Sequence, residues 1–200
     1  MKVDLEHIHH WMQAIRESNN PMRTMDAFWS GQLRSKEWLI DSLSLQTSVT
    51  DDPITVDIHG GWVGVLASLL FQSTIPIKHI TSLDLDPLCK HVAVLMNKKE
   101  EIEGRFQAVT ADMCRTTSTA DVIINTSCEH ITQVQYNEWL ASLPKTSLIV
   151  LQSNNYYIEE HVRPVDSLDE FASTCGLSNI MYSGEMDLPL YKRFMLIGKK

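Results

Sequence analysis

The sequence lacks the cysteine pairs and the long apolar runs that define several common classes of protein. Its four cysteines include no C-x-x-C pair and no Cys/His spacing typical of zinc, which predicts reduced thiols and no metal. No run approaches the roughly eighteen apolar residues of a membrane span, and the first residues have no apolar signal-peptide core. We therefore expect a cytoplasmic protein with no membrane partner.

Basic charge is also scarce, because 17 lysines and arginines accompany 25 aspartates and glutamates, for a formal net charge of −8. A protein that binds nucleic acid through a broad basic face has the opposite balance. The composition therefore favours a small-molecule partner over a polynucleotide, although a local basic patch stays open. Two hundred residues with 44% hydrophobic content are enough for one domain with a full core, and too few for two large domains.

The most informative segment is Ile54–Gly64, in which an apolar run ends on Asp57 and a glycine turn follows. The β-branched and apolar residues before Asp57 predict a buried strand, and Gly60 and Gly61 allow a sharp turn and the close approach of a ligand. A hydrophobic helix is predicted over Val63–Phe71. A strand, a glycine turn and a helix in this order predict a ligand across the carboxyl end of the strand.

Three further predicted strands also end in polar residues. The second ends at Asp84 and the third at Asp112, while the fourth, within Ala120–His130, closes on a polar cluster. The separation between Asp57 and Asp84 is the one expected for a single βαβ step. These side chains are predicted to converge at one edge of the sheet. Helix N-capping is the structural alternative for the acids.

Residues 1–50 predict an N-terminal helical cap. An amphipathic helix over 1–18 is followed by a second helix from Thr24, with a break at Ser30-Gly31. Three histidines of the first helix are interpreted as a solvated surface rather than a metal site: His7, His9 and His10. The second helix carries a group of mainly aromatic and basic residues, which are interpreted as a cover for the sheet edge, with substrate contact as the alternative. These residues are Trp29, Gln32, Arg34, Lys36 and Trp38.

Residues 51–200 predict the α/β domain of the same structural unit. A fifth buried strand lies within Ser147–Asn154, and a C-terminal antiparallel pair is predicted over Asn179–Met186 and Tyr191–Lys199. Tyr191 and Arg193 are interpreted as sheet-surface residues on the last strand. The chain therefore predicts one mixed sheet with an antiparallel end.

Five alternating β/α units, a C-terminal hairpin, and acids after the first three strands resemble the class I S-adenosylmethionine-dependent methyltransferases. The resemblance covers about residues 54–200 and implies a Rossmann-like, seven-stranded α/β sheet. It also implies S-adenosylmethionine as cofactor and methyl transfer to an O or N acceptor on a small or medium-sized molecule. The short sequences N-T-S-C-E-H at Asn125–His130 and L-Q-S-N at Leu151–Asn154 are also similar to segments of small methyltransferase-like proteins of bacterial viruses.

The same resemblance implies the residues that hold the cofactor. The first acid, Asp57, and the glycine loop with Gly60 and Gly61 hold the methionine moiety. The second acid, Asp84, holds the ribose. The third acid, Asp112, contacts the adenine, and Met113 flanks it. The usual loop has glycine where this chain has His59 and Val63, so His59 either adopts an unusual turn or contacts the cofactor itself. Asp86 competes for the ribose, and the D-x-D-P pattern favours Asp84.

Acceptor chemistry is predicted after the fourth and fifth strands. His130 and Glu129 are candidate bases and Asn125 a candidate for orienting the acceptor, whereas capping of the next helix by Glu129 and His130 is an equally weighted alternative. The residues predicted to shape the acceptor pocket are Asn154, Tyr156 and Arg163.

Other functions stay open at this point. A nicotinamide dinucleotide enzyme is disfavoured because a carboxylate at Asp57 would oppose a pyrophosphate. The non-standard loop at His59 leaves room for a binding or interaction module that has lost catalysis. A non-methyl use of S-adenosylmethionine and a nucleic-acid acceptor are the remaining alternatives.

Overall fold

The computed structural model describes residues 4–47 and 52–200. The predicted boundary between residues 50 and 51, and the first three residues of the predicted N-terminal helix, lie outside the described residues. The strands are β1 (Ile54–His59), β2 (Ile77–Asp84), β3 (Phe106–Thr110), β4 (Val122–Asn125), β5 (Leu148–Asn154), β6 (Asn179–Asp187) and β7 (Lys192–Lys199). The helices are α1 (Leu5–Glu17), α2 (Pro21–Asp26), α3 (Ser30–Thr47), α4 (Val65–Phe71), α5 (Pro87–Met96), α6 (Lys98–Ile102), α7 (Gln133–Ser142) and α8 (Leu168–Thr174). None of these helices has both the length and the apolar character that a membrane span needs.

The strands form one sheet in the order β3-β2-β1-β4-β5-β7-β6. Strands β1 to β5 run parallel to one another. Strand β7 lies antiparallel between β5 and β6. This topology confirms the predicted Rossmann-like, seven-stranded α/β sheet with a C-terminal antiparallel pair.

Hydrophobic cores cover both faces of the sheet, because successive residues of a strand point to opposite sides. On β4, Val122 and Ile124 belong to the core that contains residues of α3, α4 and α5. Ile123 belongs to the other core, with residues of α7 and α8. The near-continuous apolar character of β4 and β5 follows from this burial on both faces.

The start of α7 is set by its own local sequence. Thr132 is the N-cap, its side chain accepts from the backbone N–H of Gln135, and the Gln135 side chain accepts in return from the N–H of Thr132. Glu129 and His130 lie earlier, in a short 3-10 turn. Their alternative role as caps of this helix is therefore wrong.

Several predicted boundaries differ from the structure by one to a few residues, and two of these differences concern the site and the helical cap. Strand β1 continues to His59 rather than ending on Asp57, because the Asp57 carboxylate accepts a hydrogen bond of 2.6 Å from the hydroxyl of Ser118 and is thereby accommodated within the strand. Helix α3 begins at Ser30, so the break between the two cap helices precedes the Ser30-Gly31 pair. The predicted break there is wrong by a few residues.

His7 is buried, and its Nε2 lies 3.0 Å from Oε1 of Glu100. This contact joins α1 to α6, so the interpretation of His7 as a solvated residue is wrong. A helical face that looks polar in sequence can be buried when a distant carboxylate supplies a partner for its histidine. His9, by contrast, is exposed.

Candidate active site

A cavity of about 720 Å³ opens at the carboxyl edge of the parallel strands. This volume lies within the range of small-molecule sites, and its position is the one at which open α/β sheets bind ligands. Nine of the residues predicted for the site line it: Gly60, Gly61, Asp84, Asp112, Met113, Glu129, His130, Asn154 and Tyr156. Four others are not among its lining residues: Asp57, His59, Asn125 and Arg163.

The glycine loop after β1 packs directly against β2. A Cβ on Gly61 would lie 1.9 Å from the Ser82 hydroxyl oxygen, so only glycine fits here. Gly60 has a φ of 72°, which glycine adopts without strain. Trp62 follows with a φ of 49°, the one non-glycine residue with positive φ in the described part of the chain. The loop is therefore held in a conformation that brings its backbone to the cavity wall.

Asp84 ends β2 and faces this loop. Its Oδ2 accepts the backbone N–H of Trp62 at 2.7 Å, and its Oδ1 accepts the N–H of Asp86 at 3.0 Å. A carboxylate has about four acceptor positions, so Asp84 keeps capacity for ligand hydroxyls. Asp86 instead caps α5 through Leu88, and its bonds with Leu88 and Arg23 lower the pKa of its carboxyl.

Asp112 and Met113 follow β3 at the same edge. One carboxylate oxygen of Asp112 accepts the N–H of Cys114 at 2.9 Å, which caps a 3-10 turn. The other lies 3.6 Å from the exposed Arg115 guanidinium. The capping alternative thus describes part of the role of Asp112 in the structure, whereas Asp84 caps no helix.

Asp57 and His59 point to the sheet face that α7 covers. His59 has no exposed surface, and its Nδ1 accepts the indole N–H of Trp139 at 2.7 Å. Burial lowers the pKa of His59 to about 4, against a smaller opposing effect of Asp57. His59 is therefore a neutral residue inside the second core, which explains how a histidine occupies a place where a glycine is usual.

A buried polar cluster closes the other end of the cavity. Oε1 of Glu129 accepts from Nδ2 of Asn154 at 2.5 Å and lies 3.4 Å from the Arg193 guanidinium. Glu129 is 1% exposed and Arg193 5% exposed. Lys36 from α3 also lines this end, where its Nζ donates to Oε1 of Gln32 at 2.8 Å. Burial, with a contribution from Arg193, lowers the pKa of Lys36 to about 7.

Tyr191 and Arg193 both line the cavity, so their interpretation as sheet-surface residues is wrong. Arg193 lies at the carboxyl end of β5, opposite Asn154, because β7 runs antiparallel to that strand. Gln32 and Lys36 show that the helical cap contributes to the cavity wall as well as to packing. The alternative of substrate contact stated for Gln32 and Lys36 is consistent with this position, whereas the place of Tyr191 and Arg193 in the cavity was missed because it depends on strand pairing.

Two residues predicted for the acceptor site have structural contacts instead. The Asn125 amide oxygen accepts the N–H of Ser127 at 2.8 Å, which shapes the loop after β4. Arg163 lies over the ring of Tyr136, 4.0 Å from its centroid, and donates to the carbonyl of Cys128 and the amide of Gln133. Both residues support the loop that carries Glu129 from outside the cavity.

The sheet order, the antiparallel end and the cavity above the glycine loop define the fold of the class I S-adenosylmethionine-dependent methyltransferases. Solved structures that are similar to this chain share this fold with it at low sequence identity. No protein-family model matches the chain, and no curated protein sequence matches it.

Magnesium protoporphyrin IX methyltransferase from Synechocystis PCC 6803, solved with bound SAH, is 11% identical, with 98% of this chain and 94% of that chain covered and a TM-score of 0.63. An O-methyltransferase family protein from Burkholderia thailandensis is 15% identical over 98% of this chain and 70% of its own, with a TM-score of 0.59. The mitomycin 7-O-methyltransferase is 16% identical over 95% of this chain, with a TM-score of 0.61, and this chain spans 60% of its length.

Proposed function

We propose that the protein is an S-adenosylmethionine-dependent methyltransferase that acts on an O or N atom of a small or medium-sized molecule. The observation that carries this proposal is the joint placement of the glycine loop, Asp84 and Asp112 on one wall of a cavity whose opposite end holds a buried polar cluster. Two structures of a similarly folded methyltransferase, solved with SAH and with SAM, support the choice of cofactor.

The residues present fit this cofactor. Gly60 and Gly61 let a ligand lie against the loop backbone, because no side chain projects there. Asp84 retains acceptor capacity for the two ribose hydroxyls, and Asp112 and Met113 lie where the adenine would be held. S-adenosylmethionine supplies an electrophilic methyl group when it is bound.

The polar end of the cavity is the place for the methyl acceptor. His130 and Lys36 both line it, and at neutral pH the lowered pKa of Lys36 leaves a substantial fraction of its amine unprotonated. With no metal ion bound to His130, either group can take the proton that an O or N acceptor loses; with an ion bound there, Lys36 can. Asn154 and Tyr156 are positioned to orient the acceptor, and α3 covers this end and excludes water.

Calorimetric titration with S-adenosylhomocysteine tests the cofactor assignment. We expect binding with a micromolar dissociation constant, weakened at least about tenfold in Asp84→Asn, because the amide replaces an acceptor oxygen with a donor. Asp86→Asn is the control, since Asp86 does not line the cavity, although its partner Arg23 does, and asparagine can still cap α5. No binding by the unchanged protein, or preference for NAD, would overturn the proposal.

Two alternatives are separated by product analysis with labelled S-adenosylmethionine. Appearance of S-adenosylhomocysteine with a methylated acceptor supports methyl transfer, whereas transfer of another part of the cofactor identifies a non-methyl use. Tight binding of S-adenosylhomocysteine that is unaffected by His130→Ala, without turnover of any oxygen or nitrogen acceptor, would favour the binding module instead. Small phenols, amines and carboxylates are the first acceptors to assay, with RNA and DNA as the nucleic-acid arm.

A further inference from the structure

Three metal-ligating side chains meet at the acceptor end of the cavity. A carboxylate oxygen of Glu129 and one ring nitrogen each of His130 and His161 lie within 4.8 Å of one another. All three residues line the cavity. They come from two separate segments, the 3-10 turn after β4 and the loop after β5, so the cluster is a product of the fold.

The hydrogen bonds of both histidines fix which nitrogen is available. Nδ1 of His130 lies 3.1 Å from the carbonyl oxygen of Glu160, and Nδ1 of His161 lies 2.6 Å from that of Tyr156. Because a carbonyl oxygen only accepts, each Nδ1 carries the proton in the neutral ring, which leaves a lone pair on each Nε2. Histidines that bind metals are oriented by hydrogen bonds of this kind to backbone carbonyls.

Glu129 provides a second, independent observation. Its Oε1 is engaged by Asn154 and Arg193, but its Oε2 is buried and has no hydrogen-bond partner among the residues that the structure describes. A buried carboxylate oxygen without a partner is costly, and it marks a position where a ligand or an ion is expected. Arg193 contacts Oε1, so Oε2 is the oxygen available to a cation.

We propose that Glu129, His130 and His161 bind a divalent transition-metal ion at the acceptor end of the cavity. Two imidazoles and one carboxylate suit Zn²⁺ or Fe²⁺ better than Mg²⁺ or Ca²⁺, which prefer ligand sets made of oxygen. Three protein ligands leave at least one coordination position open to the cavity. The proposal replaces the expectation from the sequence that the protein binds no metal.

The charges around this site indicate the class of acceptor, and this step rests on the proposed function. A divalent ion and Arg193 would together outweigh the single negative charge of Glu129. An acceptor that presents an anionic oxygen, such as a carboxylate or an ionised phenol, balances this charge and fills the open coordination position. A neutral amine could occupy that position but would not balance the charge.

The metal site is tested on the full chain, prepared without a polyhistidine tag and stripped with a chelator, by titration with Zn²⁺ alone. We expect one ion per chain at a micromolar or lower dissociation constant. His130→Ala and His161→Ala should each weaken binding by more than about tenfold, since each removes a ligand. His91→Ala is the matched control, because His91 is exposed on α5 away from the cluster.

Several outcomes would overturn the metal site. They are the absence of micromolar Zn²⁺ binding, equal binding in all variants, and binding that His9→Ala removes but His161→Ala does not. Titration of the same samples with S-adenosylhomocysteine separates the two proposals. Zn²⁺ binding without cofactor binding would overturn the proposed function alone, whereas cofactor binding without Zn²⁺ binding would overturn the metal site alone.

Discussion

The indole N–H of Trp139 donates a 2.7 Å hydrogen bond to Nδ1 of His59, and neither side chain has exposed surface. The bond joins α7 to the end of β1, directly before the glycine loop. It also fixes the proton of the neutral imidazole on Nε2, because Nδ1 is the acceptor. The loop of the cavity is thus anchored from the opposite face of the sheet.

The first prediction concerns acid stability. Burial lowers the pKa of His59 from 6.5 to about 4, so between these values the unfolded chain binds a proton that the folded chain does not. The free energy of unfolding should therefore fall as the pH drops from 6.5 to 4, by up to roughly 3 kcal/mol from this residue. Urea unfolding at pH 7 and pH 5 should show a smaller fall in the free energy of unfolding for His59→Asn than for the unchanged protein. An equal fall in His59→Asn and in the exposed-site control His91→Asn would contradict it.

The second prediction concerns Lys36. Because its pKa is lowered from 10.5 to about 7, stability should rise with pH between these values, where the unfolded chain binds the extra proton. At pH 6 the buried ammonium is destabilising, and Lys36→Met should raise the free energy of unfolding by on the order of 2 kcal/mol. Chemical denaturation at pH 6 and pH 9 measures both effects. Lys78→Met, at an exposed position, should show neither.

The third prediction concerns the loop against β2. Gly61→Ala places a Cβ 1.9 Å from the Ser82 hydroxyl and 3.2 Å from the Ser82 Cβ. The variant should lose about 1–3 kcal/mol of stability from overpacking and bind S-adenosylhomocysteine more weakly. The double variant with Ser82→Ala removes the closer atom and should recover most of both losses. A double variant no better than Gly61→Ala would show that the Ser82 contact is not the cause.

The fourth prediction concerns the buried ion pair of Glu129 and Arg193. Glu129→Gln leaves the Arg193 guanidinium buried without its countercharge and should cost about 3 kcal/mol of stability. Arg193→Met should be less harmful in the Glu129→Gln background than in the unchanged protein. A double-mutant cycle of thermal or urea unfolding should give a coupling of at least about 1 kcal/mol. Simple additivity would show that the two side chains do not interact energetically.

Much of the fold could be predicted from local sequence. The apolar runs of β4 and β5 are distinctive because those strands are buried along their whole length. Asp84 and Asp112 lie on the cavity wall because acids that follow parallel strands meet at one edge. The end of β1 is harder to predict, because an aspartate after an apolar run usually marks the end of a strand. Here Asp57 lies within the strand, where Ser118 donates a hydrogen bond to its carboxylate.

The acceptor end could not be predicted in the same way. Lys36, His161 and Arg193 belong to a helix, a loop and the last strand, and only tertiary packing brings them near Glu129. Arg193 follows Lys192 at the start of the last strand, where paired basic residues usually indicate a solvent-exposed strand end, so no local signal marks it as buried. The positive φ of Trp62 likewise has no sequence signature, because that conformation usually requires glycine.

Strand β7 is last in the chain but pairs between β5 and β6. During synthesis the strands that carry the glycine loop and Asp84 leave the ribosome well before β7 does, and amino-terminal parts fold first where they can. Arg193 joins Asn154 across the β5–β7 pairing only when the last strand inserts. A nascent chain therefore has the strands that carry the glycine loop and Asp84 before it has Arg193, and insertion of β7 is the step that completes the cavity.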